Sequence, residues 1–150
     1  MKIYTTSTFR ETLASLTKKS KDGYMSVVND VCGGLMSMPD NIVRDTNDRM
    51  RQFAEYHVVK LRLPNSGQHL PKASGFRLIY WVSMKQDVIV LMRIYPKRGS
   101  QSAVDLTDAE YDRLLVEMVN ESRIHSLHQV DIANGLAELS QNGCLPGDNL

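Results

Sequence analysis

The N-terminal part of the chain carries apolar residues at helical spacing after a short β-rich opening. Residues 2–6 combine β-branched and aromatic side chains and predict a first strand. A capping-box pair, Thr8 and Glu11, then precedes apolar residues at helical spacing and predicts a helix over about 8–20. The same spacing resumes after a glycine and predicts a second helix over about 22–37. We therefore expect the order strand, helix, helix at the N-terminus.

The middle of the chain changes from helical spacing to the patterns of β-strands. Residues 57–63 alternate between apolar and basic side chains, which predicts a strand. Residues 76–83 and 88–95 are rich in apolar and β-branched residues and are separated by a short polar turn, so they predict an antiparallel hairpin. The mixed-charge stretch 40–55 predicts a loop, with a helical turn near 50–56.

The C-terminal part begins with the clearest helix signal. Thr107 and Glu110 have the spacing of a second capping box, and an apolar stripe follows, so a helix over about 107–123 is predicted. Weaker periodicity predicts a further helix over 124–139. Residues 140–150 are mostly polar and contain proline and glycine, which predicts a disordered tail.

Composition indicates a soluble globular protein. The chain has 150 residues, of which 42% are hydrophobic and 23% charged. It has no apolar run of about 20 residues and no apolar core of a signal peptide near its start, so we expect a cytoplasmic location. Its cysteines, Cys32 and Cys144, lie far apart and form no zinc or disulfide pattern. His125 and His128 have metal-binding spacing without a third ligand nearby, so we expect no metal and no cofactor.

Positive charge is concentrated in the predicted strands. Between Lys60 and Arg98 there are eight basic residues and one acidic residue, against ten basic and sixteen acidic residues elsewhere. Such a basic surface within a protein of net charge +1 requires an anionic partner, for which polyphosphate is the most common choice.

Alternation along the strands predicts which of these charges share a face. Five side chains are expected on one side of the sheet: Lys60, Arg62, Arg77, Arg93 and Tyr95. The two N-terminal helices are expected to cover the opposite side, packing on Val59, Leu61, Phe76, Leu78, Tyr80, Val90 and Met92. The basic face would then point outward, rimmed by Lys72, Lys97 and Arg98. The alternative is an ordinary solvated sheet surface on which Tyr95 is only a core aromatic.

A face of this kind suits RNA. Guanidinium groups bind phosphate oxygens with two hydrogen bonds, and a tyrosine can stack on an unpaired base. RNA also carries its own nucleophile, the 2′-hydroxyl, so a cleaving protein must orient it, accept its proton and stabilise the phosphorane. No histidine, aspartate or glutamate is expected near the face. A lysine, whose pKa is lowered by crowded cations, is therefore the expected base.

The strand segments also resemble a known family. The stretches KLRLPNSGQHLPKASGFRLIYWV, VIVLMRIYPKR and DLTDAEYDRLL are similar, in this order, to the RelE superfamily of toxin–antitoxin ribonucleases and to its HigB-like branch. The resemblance implies an α+β fold with a small antiparallel sheet, made of an N-terminal strand and a three-strand core. Two N-terminal helices would pack on this sheet, and a C-terminal helix would follow. It implies a toxin domain over 1–123 and an extension over 124–150, partly helical and then disordered.

The resemblance further implies a ribosome-dependent mRNA endonuclease that cuts translated mRNA without metal. Its partners would be a cognate antitoxin, the 70S ribosome and mRNA, with no membrane. The positions that match the working residues of the family are Lys60, Arg62, Arg77, Tyr95 and Lys97 for catalysis, and Lys72, Arg93 and Arg98 for RNA binding. Pro96 stands where relatives have a small residue. Two alternatives on the same fold remain: a non-catalytic gyrase inhibitor and an inactive RNA-binding relative.

Overall fold

A computed structural model describes residues 1–18, 22–37, 49–52, 55–99 and 102–147 of the chain. Within these residues, three α-helices and one seven-stranded sheet form an α+β fold. The elements in chain order are β1 (Lys2–Thr5), α1 (Ser7–Lys18), α2 (Val27–Met36), β2 (Arg49–Gln52), β3 (His57–Leu63), β4 (Phe76–Ser83), β5 (Val88–Pro96), α3 (Asp108–Arg123), β6 (Leu127–Asp131) and β7 (Ala137–Gly143). The α+β class predicted from sequence is confirmed.

The sheet is larger than predicted and is mixed. Its strand order is β2-β3-β4-β5-β1-β6-β7. Strands β3, β4 and β5 occupy the predicted segments and form the antiparallel centre. The expectation of a wholly antiparallel sheet is wrong, because β1 runs parallel to β5. The two helices between β1 and the later strands provide the crossover that a parallel pair needs.

Helices α1 and α2 pack on one face of the sheet, as predicted, but their starts differ. The Thr6 hydroxyl accepts a hydrogen bond from the Phe9 N–H at 3.3 Å and begins α1. The predicted cap with Thr8 is wrong, since the Thr8 hydroxyl donates to a carboxylate oxygen of Glu117 on α3 at 2.6 Å. Helix α2 begins at Val27 rather than near residue 22 because a turn precedes it.

A β-bulge in β5 changes the face that its residues present. Ile79 of β4 lies opposite Arg93, whereas the next residue, Tyr80, lies opposite Leu91, so Met92 is the extra residue. Val90 and Met92 therefore join the core on the side away from α1 and α2. The expectation that these two residues pack under the N-terminal helices is wrong, because simple alternation does not continue through a bulge.

Helix α3 covers the other face of the sheet. Its predicted capping box is confirmed. The Thr107 hydroxyl accepts a hydrogen bond from the Glu110 N–H, and the Glu110 carboxylate accepts one from the Thr107 backbone N–H. Tyr111, Leu114 and Met118 of α3 pack in a second core cluster with side chains of β4 and β5. The face that carries the predicted site is therefore partly covered by a helix, which corrects the expectation of a fully outward surface.

The C-terminal region is a pair of strands. The helix predicted over 124–139 is wrong, because β6 pairs with β1 and β7 pairs with β6. Residues 140–143 belong to β7 rather than to a disordered tail. Beyond them Leu145 is buried, and its N–H donates to the Ser122 hydroxyl at 2.7 Å. The last three residues of the predicted tail, 148–150, lie outside the described residues.

The predicted loop over 40–55 is only partly described. Arg49–Gln52 forms β2, the strand at the edge of the sheet, so the helical turn expected near 50–56 is wrong at these residues. The remaining positions 40–48 and 53–54 lie outside the described residues. Among the helices that the structure describes, none has the length and apolar character required to cross a membrane.

Candidate nucleic-acid interface

Strand register brings the predicted residues onto one face. Arg62 of β3 lies opposite Arg77 of β4, which lies opposite Tyr95 of β5. In the neighbouring row Lys60 lies opposite Ile79, which lies opposite Arg93. Residues directly opposite on adjacent strands point to the same side of a sheet. The predicted common face of these five candidate residues is therefore confirmed.

The Arg77 side chain is buried and binds the loop that leads into its own strand. It is 6% exposed, and its Nη1 donates to the carbonyl oxygens of Lys72 at 2.8 Å and Phe76 at 3.1 Å. Its Nη2 donates to the carbonyl oxygen of Ala73 at 3.1 Å. In this structure the guanidinium therefore holds the loop in place, a role that the sequence pattern did not indicate.

The loop also depends on Gly75. A Cβ atom at this position would lie 2.1 Å from the carbonyl oxygen of Leu63 and 2.6 Å from the backbone nitrogen of Asn65. Since those atoms are backbone, neither can turn away as a side chain could. The glycine and the Arg77 guanidinium together set the path of the loop that carries Lys72.

Tyr95 is buried, contrary to the expectation of an outward-facing phenol. The residue is 3% exposed and lies in the core cluster that includes Leu106. The guanidinium carbon of Arg93 lies 5.5 Å from the centre of its ring. Its hydroxyl is buried and has no hydrogen-bond partner among the described residues. Burial is the main cause that raises the pKa of this hydroxyl, and the charge of Asp105 raises it further.

Two carboxylates lie among the basic side chains, which corrects the expectation that no acid is near. The Lys60 Nζ lies 3.1 Å from Oδ1 of Asp105, and the Arg93 Nη1 lies 3.4 Å from Oε2 of Glu110. The hydrogen bond from Lys60 is the main cause that lowers the pKa of Asp105. The charges of Lys97 and Arg77 lower it as well.

Local sequence patterns indicate only one of these two acids. Glu110 is recognisable from its capping box, which places it in the first turn of α3. Asp105 precedes the cap residue Thr107 by two positions, and no local pattern indicates that it meets a lysine of β3. That contact depends on the path of the segment between β5 and α3.

Among the candidate site residues, the accessible cations lie at one end of the central strands. Arg62, Lys72 and Arg98 are exposed, and Lys97 is half-buried. The Lys97 N–H donates to the Gly75 carbonyl oxygen at 2.9 Å, so the end of β5 is fixed next to the loop that carries Lys72. This end of the sheet is the part of the face that an anionic ligand can reach directly.

The histidine pair does not have the predicted helical spacing. His125 follows the end of α3, whereas His128 lies in β6. The Nδ1 of His128 lies 2.5 Å from Oε1 of Glu138 on β7. Helical i, i+3 geometry is therefore absent at these two residues.

Comparison with known proteins identifies no relative. No family model, no curated protein and no solved structure matches the chain. The assignment of a function therefore depends on the geometry and charge of the residues described above.

Proposed function

We propose that this chain is a ribosome-dependent mRNA endonuclease, a toxin of the RelE type that a cognate antitoxin neutralises in the cytoplasm. The observation that carries the proposal is the register of β3, β4 and β5, which aligns Arg62, Arg77 and Tyr95 in one row and Lys60 and Arg93 in the next. Support also comes from the order of β1, α1, α2, β3, β4 and β5, which follows the order that the resemblance implies except that β2 is inserted before β3.

The basic end of the sheet would bind the RNA backbone. Arg62, Lys72 and Arg98 are exposed there and present charge without sequence readout. A loop held by the Arg77 guanidinium and by the Gly75 backbone is a rigid platform for such contacts. Binding to the 70S ribosome would then place translated mRNA against this end of the strands.

The reaction needs no group beyond the RNA and these side chains. The 2′-hydroxyl loses its proton to a base and attacks the adjacent phosphorus, while the 5′-oxygen leaves and takes up a proton. The products are a 2′,3′-cyclic phosphate and a 5′-hydroxyl end. Lys60 and Lys97 are the proposed proton-transfer groups. Arg77 is the proposed partner of the phosphorane charge.

The buried residues set a condition on this mechanism. Tyr95 is 3% exposed and lies in the core cluster with Leu106, so RNA must move the segment before α3 to reach its ring. Arg77 is 6% exposed and is bonded to loop carbonyls, which RNA must replace. That segment contains Asp105, whose carboxylate is paired with Lys60. An enzyme of this kind would therefore be inactive in the closed state described here and would open on the ribosome.

The test compares Lys60 and Lys97 with a lysine in the turn at the opposite end of β4 and β5. Wild type, Lys60→Ala and Lys97→Ala are expressed from a repressible promoter, and primer extension maps cuts in translated mRNA. Lys85→Ala is the matched control, because Lys85 is exposed in the β4–β5 turn at the opposite end. We expect cutting to fall about a hundredfold in the two site variants, as for loss of a general acid or base, and to persist in the control.

Two results would reject the proposal. Equal cutting and equal growth arrest by all four proteins would remove this face from the mechanism. A wild-type protein that arrests no growth and cuts no translated mRNA would remove the nuclease function itself.

A second candidate function is RNA binding without cleavage. The observation that favours it is the occupation of the Arg77 guanidinium by three carbonyl oxygens, together with the burial of Tyr95. Such a protein would bind ribosomes or RNA at physiological salt and leave the RNA intact. Co-sedimentation with ribosomes, followed by analysis of the bound mRNA on a sequencing gel, separates the two functions.

A further inference from the structure

Asp105 forms an ion pair with Lys60 on the basic face. Its Oδ1 lies 3.1 Å from the Lys60 Nζ, whose side chain is only 13% exposed. Lys97 and Arg77 are near enough for their charges to lower the pKa of its carboxyl. Asp105 itself remains 65% exposed in its side chain. A largely solvated carboxylate is therefore paired with a nearly buried lysine of this face.

The Tyr95 hydroxyl is a donor without an acceptor in this cluster. It is buried and has no hydrogen-bond partner among the described residues. After burial, the charge of Asp105 is the largest cause that raises its pKa. A buried hydroxyl that lacks a partner costs free energy in the free protein, and a ligand that accepts its hydrogen bond would recover this cost.

The segment that carries Asp105 combines packed residues with exposed ones. The Ala103 N–H donates to the Pro96 carbonyl oxygen at 3.3 Å, and Leu106 is buried at 9% exposure. Between them Val104 is 84% exposed. Because the Asp105 side chain is 65% exposed, its carboxylate can turn away from Lys60 into solvent.

We propose that Asp105 occupies the place of an RNA phosphate, so that Lys60 is the centre of a phosphodiester subsite which the free protein fills with its own carboxylate. Naming RNA as the ligand rests on the proposed function. The subsite itself rests on the contacts above. A carboxylate and a phosphodiester each carry one negative charge and accept charge-assisted hydrogen bonds, so one can replace the other without changing the balance of charge.

The subsite favours ligands that make several contacts with the protein. A ligand must displace Asp105 before it reaches Lys60, so a single weak anion gains little. A single-stranded RNA that already contacts the exposed cations Arg62, Lys72 and Arg98 has the binding free energy to do so.

The experiment measures binding of a fluorescent, unstructured 12-nucleotide RNA to full-length variants by anisotropy. Asp105→Asn keeps the shape of the side chain and removes its charge. Asp87→Asn makes the same charge change in the β4–β5 turn, at the far end of β5. At about 3.3 Å per residue the two sites are roughly 25 Å apart, beyond the Debye length of about 10 Å in 0.1 M salt.

We expect Asp105→Asn to bind the RNA about fivefold more tightly than wild type, and Asp87→Asn to differ from wild type by less than about twofold. The slope of log affinity against log salt should steepen by about 0.7 for Asp105→Asn, which corresponds to one added phosphate contact. Adding Lys60→Ala to Asp105→Asn should remove the gain.

Equal tightening by both asparagine variants would overturn the inference, because the effect would then be one of net charge. Unchanged or weaker binding by Asp105→Asn, with the fold confirmed by Trp81 fluorescence, would overturn it as well. Tighter binding without any cutting of translated mRNA keeps the subsite and rejects the nuclease. If the wild type cuts translated mRNA but Asp105→Asn binds the RNA no more tightly, the nuclease function is kept and the subsite is rejected.

Discussion

Replacing Arg77 by methionine tests whether this residue mainly stabilises the loop before β4. The guanidinium donates three hydrogen bonds to carbonyl oxygens of the loop before β4, at 2.8, 3.1 and 3.1 Å. A hydrogen bond contributes about 1 kcal/mol net, so the loss of three predicts a destabilisation of about 3 kcal/mol. Methionine preserves most of the apolar volume, so the missing donors account for the effect. A loss of this size is a large part of the 5–15 kcal/mol that is typical of folded domains.

The assay is urea unfolding followed by the fluorescence of Trp81, which is 7% exposed and lies on the same strand. With a slope of about 2 kcal/mol per molar urea, a loss of about 3 kcal/mol lowers the midpoint by about 1.5 M. Arg62→Met is the matched control, since Arg62 lies directly opposite Arg77 and is exposed. Its midpoint should fall by at most about 0.5 M.

A fall of less than about 0.3 M in Arg77→Met, no larger than in the control, would refute the reasoning. The carbonyl contacts would then contribute little, and the guanidinium would be available for phosphate. A large fall would mean that loss of RNA cutting in an Arg77 variant cannot by itself assign the residue to catalysis. This is why the lysines carry the functional test.

Three further predictions concern the fold. In α2, Gly33→Ala should raise the unfolding free energy by about 0.5–1 kcal/mol, since no atom lies within 4 Å of the added methyl. Gly34→Ala should lower it by about 1–3 kcal/mol, because its methyl would lie 2.2 Å from Leu63 Cδ2. Thermal melting measures both changes, and equal shifts would contradict this packing. Burial raises the pKa of Glu121, so its contribution to stability is complete below the unfolded pKa of about 4.3 and is lost as pH rises through the folded pKa. In urea unfolding, the stability of Glu121→Gln relative to wild type should therefore increase as pH rises above about 4.3, and parallel curves would refute this sign. A fragment of residues 1–123 lacks β6, which pairs with β1, and should fail to give the cooperative unfolding transition of the full chain; a fragment that unfolds like the full chain would show that the last strands are dispensable.

Some elements follow from local sequence alone. The capping box at Thr107 predicted α3, and the structure has both of its hydrogen bonds. The strands at 57–63 and 76–83 have the predicted bounds, and the strand predicted over 88–95 extends by one residue. In each case the deciding contacts join residues a few positions apart or on neighbouring strands of a short hairpin. Patterns in the sequence report such contacts directly.

Other elements do not follow from local sequence. The segment 124–139 has enough apolar periodicity for a helix in isolation, yet β6 completes the open edge of β1 and buries Leu127. Hydrogen bonding to an existing strand and burial of an apolar side chain outweigh weak helix propensity. The bulge at Met92 is similar, since it depends on how β5 fits against β4 rather than on its own residues.

The candidate site divides in the same way. Alternation and register, both readable as patterns, placed Lys60, Arg62, Arg77 and Arg93 on one face. The burial of Tyr95, the engagement of Arg77 with loop carbonyls and the ion pair of Lys60 with Asp105 were decided only by the tertiary structure. The last contact joins residues 45 positions apart. A sequence pattern carries the charge and spacing of each residue, but which opposite charges meet depends on where the packed core directs the segments between them.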